Sequence, residues 1–376
     1  MAKGMTARGP IDATATYRAD AEAVAANLAQ TLGRDGLERL AETTWVVVGG
    51  TGQLGAATVD VLDALSQARG LGLRVVVAAR REERLRARFA EDVRGRLEFS
   101  PYEADRGLAP DLLRSADFVV FAAGYGDPRS MMEDPVGILR TNVRGVGLVL
   151  ESLAGAGKRG DDRNARLVFV SSGEVYGRSA EGMDAFAEDY SGPVDTMETR
   201  SCYPTAKRAA ESLCRSYVAQ YGVEAVVARQ CHAFGPGCSA RDSRVSAVFA
   251  RTAADGVPIV LKSAGAQVRS WCHELDAAGA YVALAVRGEA GRAYNVAPAE
   301  TCSIREFAEG LARAGGTSVT AAPPTDSEAR GFTNVERAVL DATRLRELGW
   351  RQALPLERAF AHTVACLRET SGGLIA

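Results

Sequence analysis

Tyr203 and Lys207 stand four residues apart in CYPTAKRAAESLC, so a helix there puts a phenol and an ammonium on one face. A free phenol, with a pKa of about 10, is a poor base at neutral pH. A neighbouring positive charge stabilises the phenolate and lowers that pKa, which lets the tyrosine take a proton from an alcohol. Upstream, RLVFVSS (166–172) reads as a strand that delivers Ser171 and Ser172 at its C-terminal end. Ser172 can then hold a substrate hydroxyl while Tyr203 removes its proton. A Tyr-x-x-x-Lys pair alone is usually just a helix face. The strand-end serine and a glycine loop elsewhere in the chain make it specific.

That loop is GGTGQLG (49–55), with Gly49, Gly52 and Gly55 in the spacing G-x-x-G-x-x-G directly after a Val-rich run. Glycines here allow a tight turn, close backbone approach to a pyrophosphate and tight helix–strand packing, and the following helix N-terminus offers unpaired N–H groups to phosphate. The position at a strand–helix junction favours a nicotinamide dinucleotide site over a merely structural turn. Dinucleotide folds that select NAD place a carboxylate at the end of the second strand, but here that strand ends Ala78-Ala79-Arg80-Arg81. Arg80 and Arg81 could pair with a 2′-phosphate, which favours NADP. Alternatively, Arg80 covers the adenine face, Arg81 opens a solvated charged helix, and NAD is equally acceptable. Asp105, after the third strand, suits an adenine amine or is simply an exposed loop carboxylate.

These residues need a scaffold, and the chain supplies one. WVVVGG (45–50), LRVVVAA (73–79), RLEFS (96–100), DFVVFAAG (117–124), RLVFVSS and VEAVVARQ (223–230) read as buried strands, because continuous apolar runs suit strands covered on both faces. Helical patterns fall at 53–68, 81–92, 134–157 and 203–221, with Asp134-Pro135 as N-cap and first-turn pair of the third. The alternation implies an α/β fold, a Rossmann-like doubly wound parallel sheet with a smaller C-terminal substrate-binding domain. The expected division is an N-terminal helical extension over 1–42 with an alanine-rich helix at 17–32, a dinucleotide-binding domain over 43–230 to which 266–297 returns, and a mainly substrate-binding part over 231–376. The extension is read as a helix packed on the main body or a mobile lead-in.

Composition narrows the class. The chain has 376 residues, 47% hydrophobic and 24% charged, and a formal net charge of -2, which points to neither nucleic acid nor membrane as partner. No apolar run approaches the roughly 20 residues of a bilayer span, and the polar start MAKGMTARGP lacks the apolar centre of a signal peptide. Seven cysteines without paired spacing read as reduced thiols of a cytoplasmic protein. The three histidines, His232, His273 and His362, have no metal-ligand spacing, so no metal site is expected.

Taken together, the glycine loop, the strand-end serine and the Tyr–Lys pair resemble the extended short-chain dehydrogenases that act on nucleotide sugars, over about Trp45 to Trp350. Thr141-Asn142-Val143 is similar to that family's helix-borne asparagine motif. RQCHAFGPG (229–237) resembles its Arg-x-x-Asn-x-Tyr-Gly-Pro segment, with His232 and Phe234 as replacements. VRSWCHELDAAGAY (268–281) resembles its Arg-Asp-Tyr-x-His-Val-x-Asp signature through Arg269, His273 and Asp276, and AYNVA (293–297) also fits. The resemblance implies cofactor contacts from Gln53, Leu54, Ala122, Ala123, Gly124 and Asn142 besides the glycines, Tyr203 and Lys207. It also implies substrate contacts from Ser172, Gly173, Glu174, His232 and Arg269, the last on diphosphate or sugar. Dimerisation through the 134–157 and 203–221 helices is a further implication.

TRSCYPTAKRAAESLC (199–214) is most like UDP-glucuronate decarboxylases, and RDSRVSAVFA (241–250) resembles theirs too. Arg244 is therefore a candidate nucleotide or sugar contact, or else a solvated helix-start arginine. Those enzymes carry Thr-Ser-Glu where this chain has Ser172-Gly173-Glu174, and a water is expected to fill the space beside Gly173. The 4,6-dehydratases carry Asp-Glu there, so Gly173 disfavours dehydration. Glu174 reads as a substrate contact rather than a structural carboxylate. The resemblance thus implies oxidation of the sugar at C4 followed by loss of a C5 carboxylate as CO2. A 4-epimerase, a 4,6-dehydratase and a non-catalytic dinucleotide binder are the alternatives.

Overall fold

The structure is a computed structural model that describes residues 10–155, 165–324 and 336–372. Val-rich segments form β1 (Thr44–Val48), β2 (Arg74–Ala79), β3 (Leu97–Pro101), β4 (Phe118–Phe121), β5 (Arg166–Ser172) and β6 (Glu224–Gln230). Later come β7 (His232–Phe234), β8 (Ile259–Leu261), β9 (Val268–His273), β10 (Ala293–Val296), β11 (Thr301–Ser303) and β12 (Val319–Ala321). The main sheet is seven-stranded and parallel, in the order β10-β6-β5-β4-β1-β2-β3. Order reverses about β1, so the first glycine loop and the end of β4 meet at the crevice where doubly wound sheets bind ligands.

The longer helices are α1 (Ala15–Leu40), α2 (Gln53–Arg69), α3 (Glu82–Arg88), α4 (Val146–Gly155), α5 (Cys202–Tyr221), α6 (Val245–Ala254), α7 (Glu274–Arg287), α8 (Ile304–Gly315) and α9 (Leu356–Gly372), with shorter turns between them. Strand side chains alternate between the two faces, which explains why β1 is apolar throughout. Trp45 and Val47 pack with Val24 and Leu28 of α1, Leu62 of α2 and Leu284 of α7. Val46 and Val48 face the other way, with Val149 and Leu150 of α4 and Cys214 of α5. Both faces are thus covered, and each fully buried large side chain contributes roughly 1.5–3 kcal/mol. Beyond β6, β9 joins β7 and β11 in a second, small sheet, and β8 pairs with β12, while β10 returns to the main sheet.

Three local departures from the expected elements have identifiable causes. The N-terminal helix is longer than its alanine-rich part and kinks at Gly33, whose φ is 59°. It is anchored by Asp20, which accepts from Arg358 (3.1 Å) and contacts His362 Nδ1 (2.7 Å) of α9. The helix expected over 81–92 breaks after Arg88 and resumes as a single turn at Glu91–Arg94. There the Asp12 carboxylate receives the Ala90 N–H, 2.9 Å from either oxygen. The helix expected over 134–157 begins as foreseen, with the Asp134 side chain accepting from Gly137 N at 3.0 Å. It then passes through a π-helical turn at Arg140–Gly145 before α4, and positions 156–157 lie outside the described residues.

Candidate active site

The glycine loop closes against the end of β4. Gly49 has φ 80°, and a Cβ on it would stand 2.7 Å from Ala123 Cα; a Cβ on Gly55 would stand 2.3 Å from Gly49 O. Neither position admits a side chain without moving backbone. Ala122 and Ala123 therefore lie against the loop that leads into the first turn of α2, whose N–H groups at Gln53 and Leu54 have no partner within the helix, while the Gly52 N–H donates to Gly49 O at 2.9 Å. Asn142, fully buried in the π-helical turn, donates to Ile138 O (2.9 Å), and its Oδ1 has no partner. That amide lies against Gly124, where an added Cβ would stand 3.4 Å from Oδ1.

The Gln53 side chain turns away from the crevice. Its Nε2 donates to Glu274 Oε2 at 2.7 Å, and its Oε1 accepts from Arg244 Nη2 at 2.6 Å. Glu274, wholly buried at the start of α7, also accepts from Gly237 N at 2.8 Å, and burial pushes its carboxyl up to about 7. Arg244 is further gripped by Asp242 through Nε (3.1 Å) and Nη2 (2.5 Å). The dinucleotide loop is in this way tied to the segment carrying Arg244. Sequence reading missed Glu274, which stands where the family signature has an apolar residue.

Ser172 and Tyr203 meet at the C-terminal end of β5. Ser172 Oγ caps the turn Gly173–Tyr176 by accepting from Glu174 N (3.2 Å), and its hydroxyl lies near that of Tyr203 and favours the phenolate. The backbone after β4 reaches the same point, since a Cβ on Gly126 would lie 3.2 Å from Tyr203 Oη. Lys207, buried one turn on, donates to Val170 O at 2.7 Å with Nζ 5.8 Å from the Tyr203 ring centre. Burial pushes its ammonium down to about 7, while Glu211 holds it up. The expected lowering of the tyrosine is not what the side chains alone produce. Burial and then the Glu174 carboxylate push the phenol up to about 12, against the nearby Ser172 hydroxyl and the Arg244 charge.

Glu174 is half-buried, and burial raises its carboxyl while Arg200 and Arg269 oppose. Arg200 Nη2 lies 3.3 Å from Glu174 Oε1. Arg200, in the turn Thr199–Ser201 just before Tyr203, is a second residue missed from sequence. The space beside Gly173 is not open to water as expected: a Cβ there would meet Leu340 Cδ2 and Cδ1 at 3.2 and 3.3 Å. The buried Leu340 side chain occupies it. His232 is exposed, its ring centre 5.3 Å from Trp271; partial desolvation and the Arg269 and Arg244 charges lower its pKa, so it is neutral at pH 7. Arg269 is buried on β9, and burial lowers it to about 10.

The remaining candidates lie at the rim. Arg80 is exposed and hydrogen-bonds the Tyr125 hydroxyl, its guanidinium 5.6 Å from that ring centre. Arg81 is exposed at the N-cap of α3. Asp105 is exposed and paired with Arg144 (3.2 Å) and Arg140 (3.6 Å).

Comparison with known proteins gives a consistent kinship. The sequence model of the NAD dependent epimerase/dehydratase family matches residues 45–297. UDP-glucuronic acid decarboxylase 1 of Xenopus tropicalis is 30% identical over 256 residues, covering 67% of this chain and 57% of that protein. The chain thus spans little more than half the length of that relative. Among solved structures, UDP-glucose 4-epimerase of Thermotoga maritima superposes with a TM-score of 0.71 at 20% identity, covering 87% of this chain and 99% of the other. The dTDP-glucose 4,6-dehydratase of Streptomyces venezuelae, solved with NAD bound, gives 0.71 at 24% identity, covering 88% and 98%. These likenesses establish the same fold.

Proposed function

The chain belongs to the NAD dependent epimerase/dehydratase family, and from that premise we propose that it decarboxylates a nucleotide-linked uronic acid, UDP-glucuronate being the first substrate to try. The observation that carries this reading is the convergence of Ser172 and Tyr203 with a carboxylate, Glu174, that is flanked by two cations, Arg200 and Arg269. Similarity to UDP-glucuronic acid decarboxylases supports it.

The crevice fits a nicotinamide dinucleotide, since the loop is folded too tightly at Gly49 and Gly55 for any side chain, leaving bare backbone along it, and the α2 N-terminus lies at its end. When bound, that group supplies a hydride acceptor and donor, so that the sugar can pass through a 4-ketone. Gly49, Gly52, Gly55 and the N–H groups of Gln53 and Leu54 would hold its diphosphate, with Ala122, Ala123, Gly124 and Asn142 along its length. The lack of a carboxylate after Ala79, with Arg80 and Arg81 in its place, supports NADP over NAD.

Tyr203 takes the proton of the sugar's C4 hydroxyl, held for it by Ser172. Lys207 supplies positive charge behind the phenol, sustained by Glu211. Arg244 and Arg269 hold diphosphate or the acid. Glu174 orients the sugar's carboxyl end, and once C4 is a ketone the acid is a β-keto acid: the C5–C6 bond breaks to release CO2, its electron pair passes into the C4–C5 enolate, and C5 takes a proton from water to restore the ketone. Tyr203 then returns its proton as the ketone is reduced.

The test is incubation with UDP-glucuronate and, separately, UDP-glucose and UDP-galactose, with NAD or NADP, followed by mass spectrometry. Loss of one CO2 from the uronate supports the proposal. An isomer of unchanged mass would replace it with 4-epimerisation, and loss of one water with dehydration.

A further inference from the structure

A decarboxylase must distinguish a sugar bearing a carboxylate from a neutral one, and Glu174 alone would repel such a substrate. Two arginines act on the Glu174 carboxylate, Arg200 and Arg269, and a third, Arg244, acts on the neighbouring Tyr203. Arg244 is committed to Asp242 and Gln53. Arg269 is buried in β9, with Nη1 donating to Val268 O at 3.2 Å. Arg200 is differently placed. Its one hydrogen bond to Glu174, at 3.3 Å, is longer than the roughly 2.7–2.9 Å of a good charge-assisted bond. Its Nε is buried without any hydrogen-bond partner, and its side chain keeps 37% of its surface exposed. A guanidinium presents five N–H donors in a planar fork suited to carboxylates, and here most of that fork is uncommitted.

We propose that Arg200 is the specificity-determining residue of this site, receiving the carboxylate of the uronic acid beside Glu174. The inference rests on the decarboxylase reading above and names the residue that would enforce it. With Arg200 3.3 Å from Glu174 and the Arg269 charge also acting on it, two cations set against one carboxylate make the local charge net positive before substrate arrives, so an added carboxylate neutralises it instead of meeting a lone anion. Arg200 precedes Tyr203 by three residues, at the start of the same helical run. The group that selects the acid and the group that takes the proton therefore stand on one continuous helical run. Sequence alone offers no such assignment, because an arginine just before a helix reads as a solvated charge.

Equilibrium binding separates the possibilities. In a Tyr203→Phe background, which prevents turnover, calorimetry measures Kd for UDP-glucuronate and UDP-glucose, with and without Arg200→Gln or Arg200→Lys. The expected preference for the uronate is about 10- to 100-fold, the worth of one charge-assisted contact. Arg200→Gln should erase that preference while leaving UDP-glucose binding nearly unchanged, and Arg200→Lys should keep part of it. A preference that survives Arg200→Gln overturns this inference and leaves the uronate reading standing. Equal loss of both ligands would make Arg200 only the counter-ion of Glu174, which also overturns it. If the background protein shows no preference at all, the uronate reading itself fails and takes the inference with it. Should Arg200→Gln fail to fold by thermal melting, Arg200→Lys carries the test through its intermediate ratio.

Discussion

Glu211 sits behind the reacting groups, and replacing it with glutamine probes what holds Lys207 charged. Its carboxylate accepts from Ser171 Oγ (2.6 Å) and from Arg229 Nη2 (2.8 Å) and Nε (3.1 Å), with both partners of the ion pair nearly closed to solvent. Breaking a buried pair by removing one partner costs about 3–5 kcal/mol. Arg229 keeps Glu188 O (2.7 Å) and the Tyr176 hydroxyl (3.1 Å), and a glutamine oxygen can still accept, so the low end, about 3 kcal/mol, applies here. Arg229→Gln should cost a similar amount by stranding Glu211. The double variant strands neither charge, so its loss should fall short of the sum by about 2–3 kcal/mol. Urea unfolding of the four proteins measures this. Additivity within about 0.5 kcal/mol would refute the claim that these groups form one buried unit. A second readout follows from Lys207, whose ammonium Glu211 sustains. In Glu211→Gln the alkaline limb of the activity profile should move to lower pH.

Three further outcomes are expected. Gly55→Ala forces a Cβ to 2.3 Å from Gly49 O, a backbone atom that cannot yield without opening the loop; at about 1–3 kcal/mol of overpacking, dinucleotide affinity by fluorescence titration should fall at least several-fold, and unchanged affinity would remove the loop from the site. Arg80→Ala should weaken NADP binding by about 1.5–3 kcal/mol and spare NAD, whereas tighter binding of NAD than NADP by the unmodified protein would refute the proposed preference. His273, buried with Nε2 unpartnered and Nδ1 capping α7, is pushed down to about 3 by burial. Its unfolded pKa is about 6.5, so the unfolded chain binds the extra proton first and stability is lost as pH falls from 6.5 toward 3, by up to about 1.4 kcal/mol per pH unit. Asp12, Glu274 and Asp276, all raised by burial, act in the opposite sense between about pH 4 and 7. The difference between the unmodified protein and His273→Asn, which can still cap, isolates the histidine; equal acid slopes would contradict the assignment.

Much of the scaffold was legible because it follows from periodicity. Runs such as WVVVGG and RLVFVSS suit strands covered on both sides, and the glycine loop announces its own junction. The remainder depends on residues distant in sequence. Nothing near Arg88 marks the end of α3, since the stop is the Asp12 carboxylate, 78 residues away, holding Ala90 N. Glu274 lies 221 residues from Gln53, its hydrogen-bond partner, and its identity alone gives no hint of the pairing. The meaning of Gly173 was likewise hidden, because the side chain filling its space, Leu340, comes from the far end of the chain. Arg200 has no sequence signal of its own, because what distinguishes it, the Glu174 contact and an unpartnered Nε, exists only in space.

The central claim is loss of a sugar carboxylate by way of Tyr203, and release of labelled CO2 from UDP-glucuronate carrying heavy carbon in its carboxyl group tests it most directly. The protein should release labelled CO2 with no net change in nicotinamide absorbance, because the hydride returns to the same sugar. Tyr203→Phe should release it roughly 10²–10⁴-fold more slowly, the usual cost of a lost general base. Absence of labelled CO2 from a cofactor-loaded, folded protein, or an undiminished rate in Tyr203→Phe, would contradict the account.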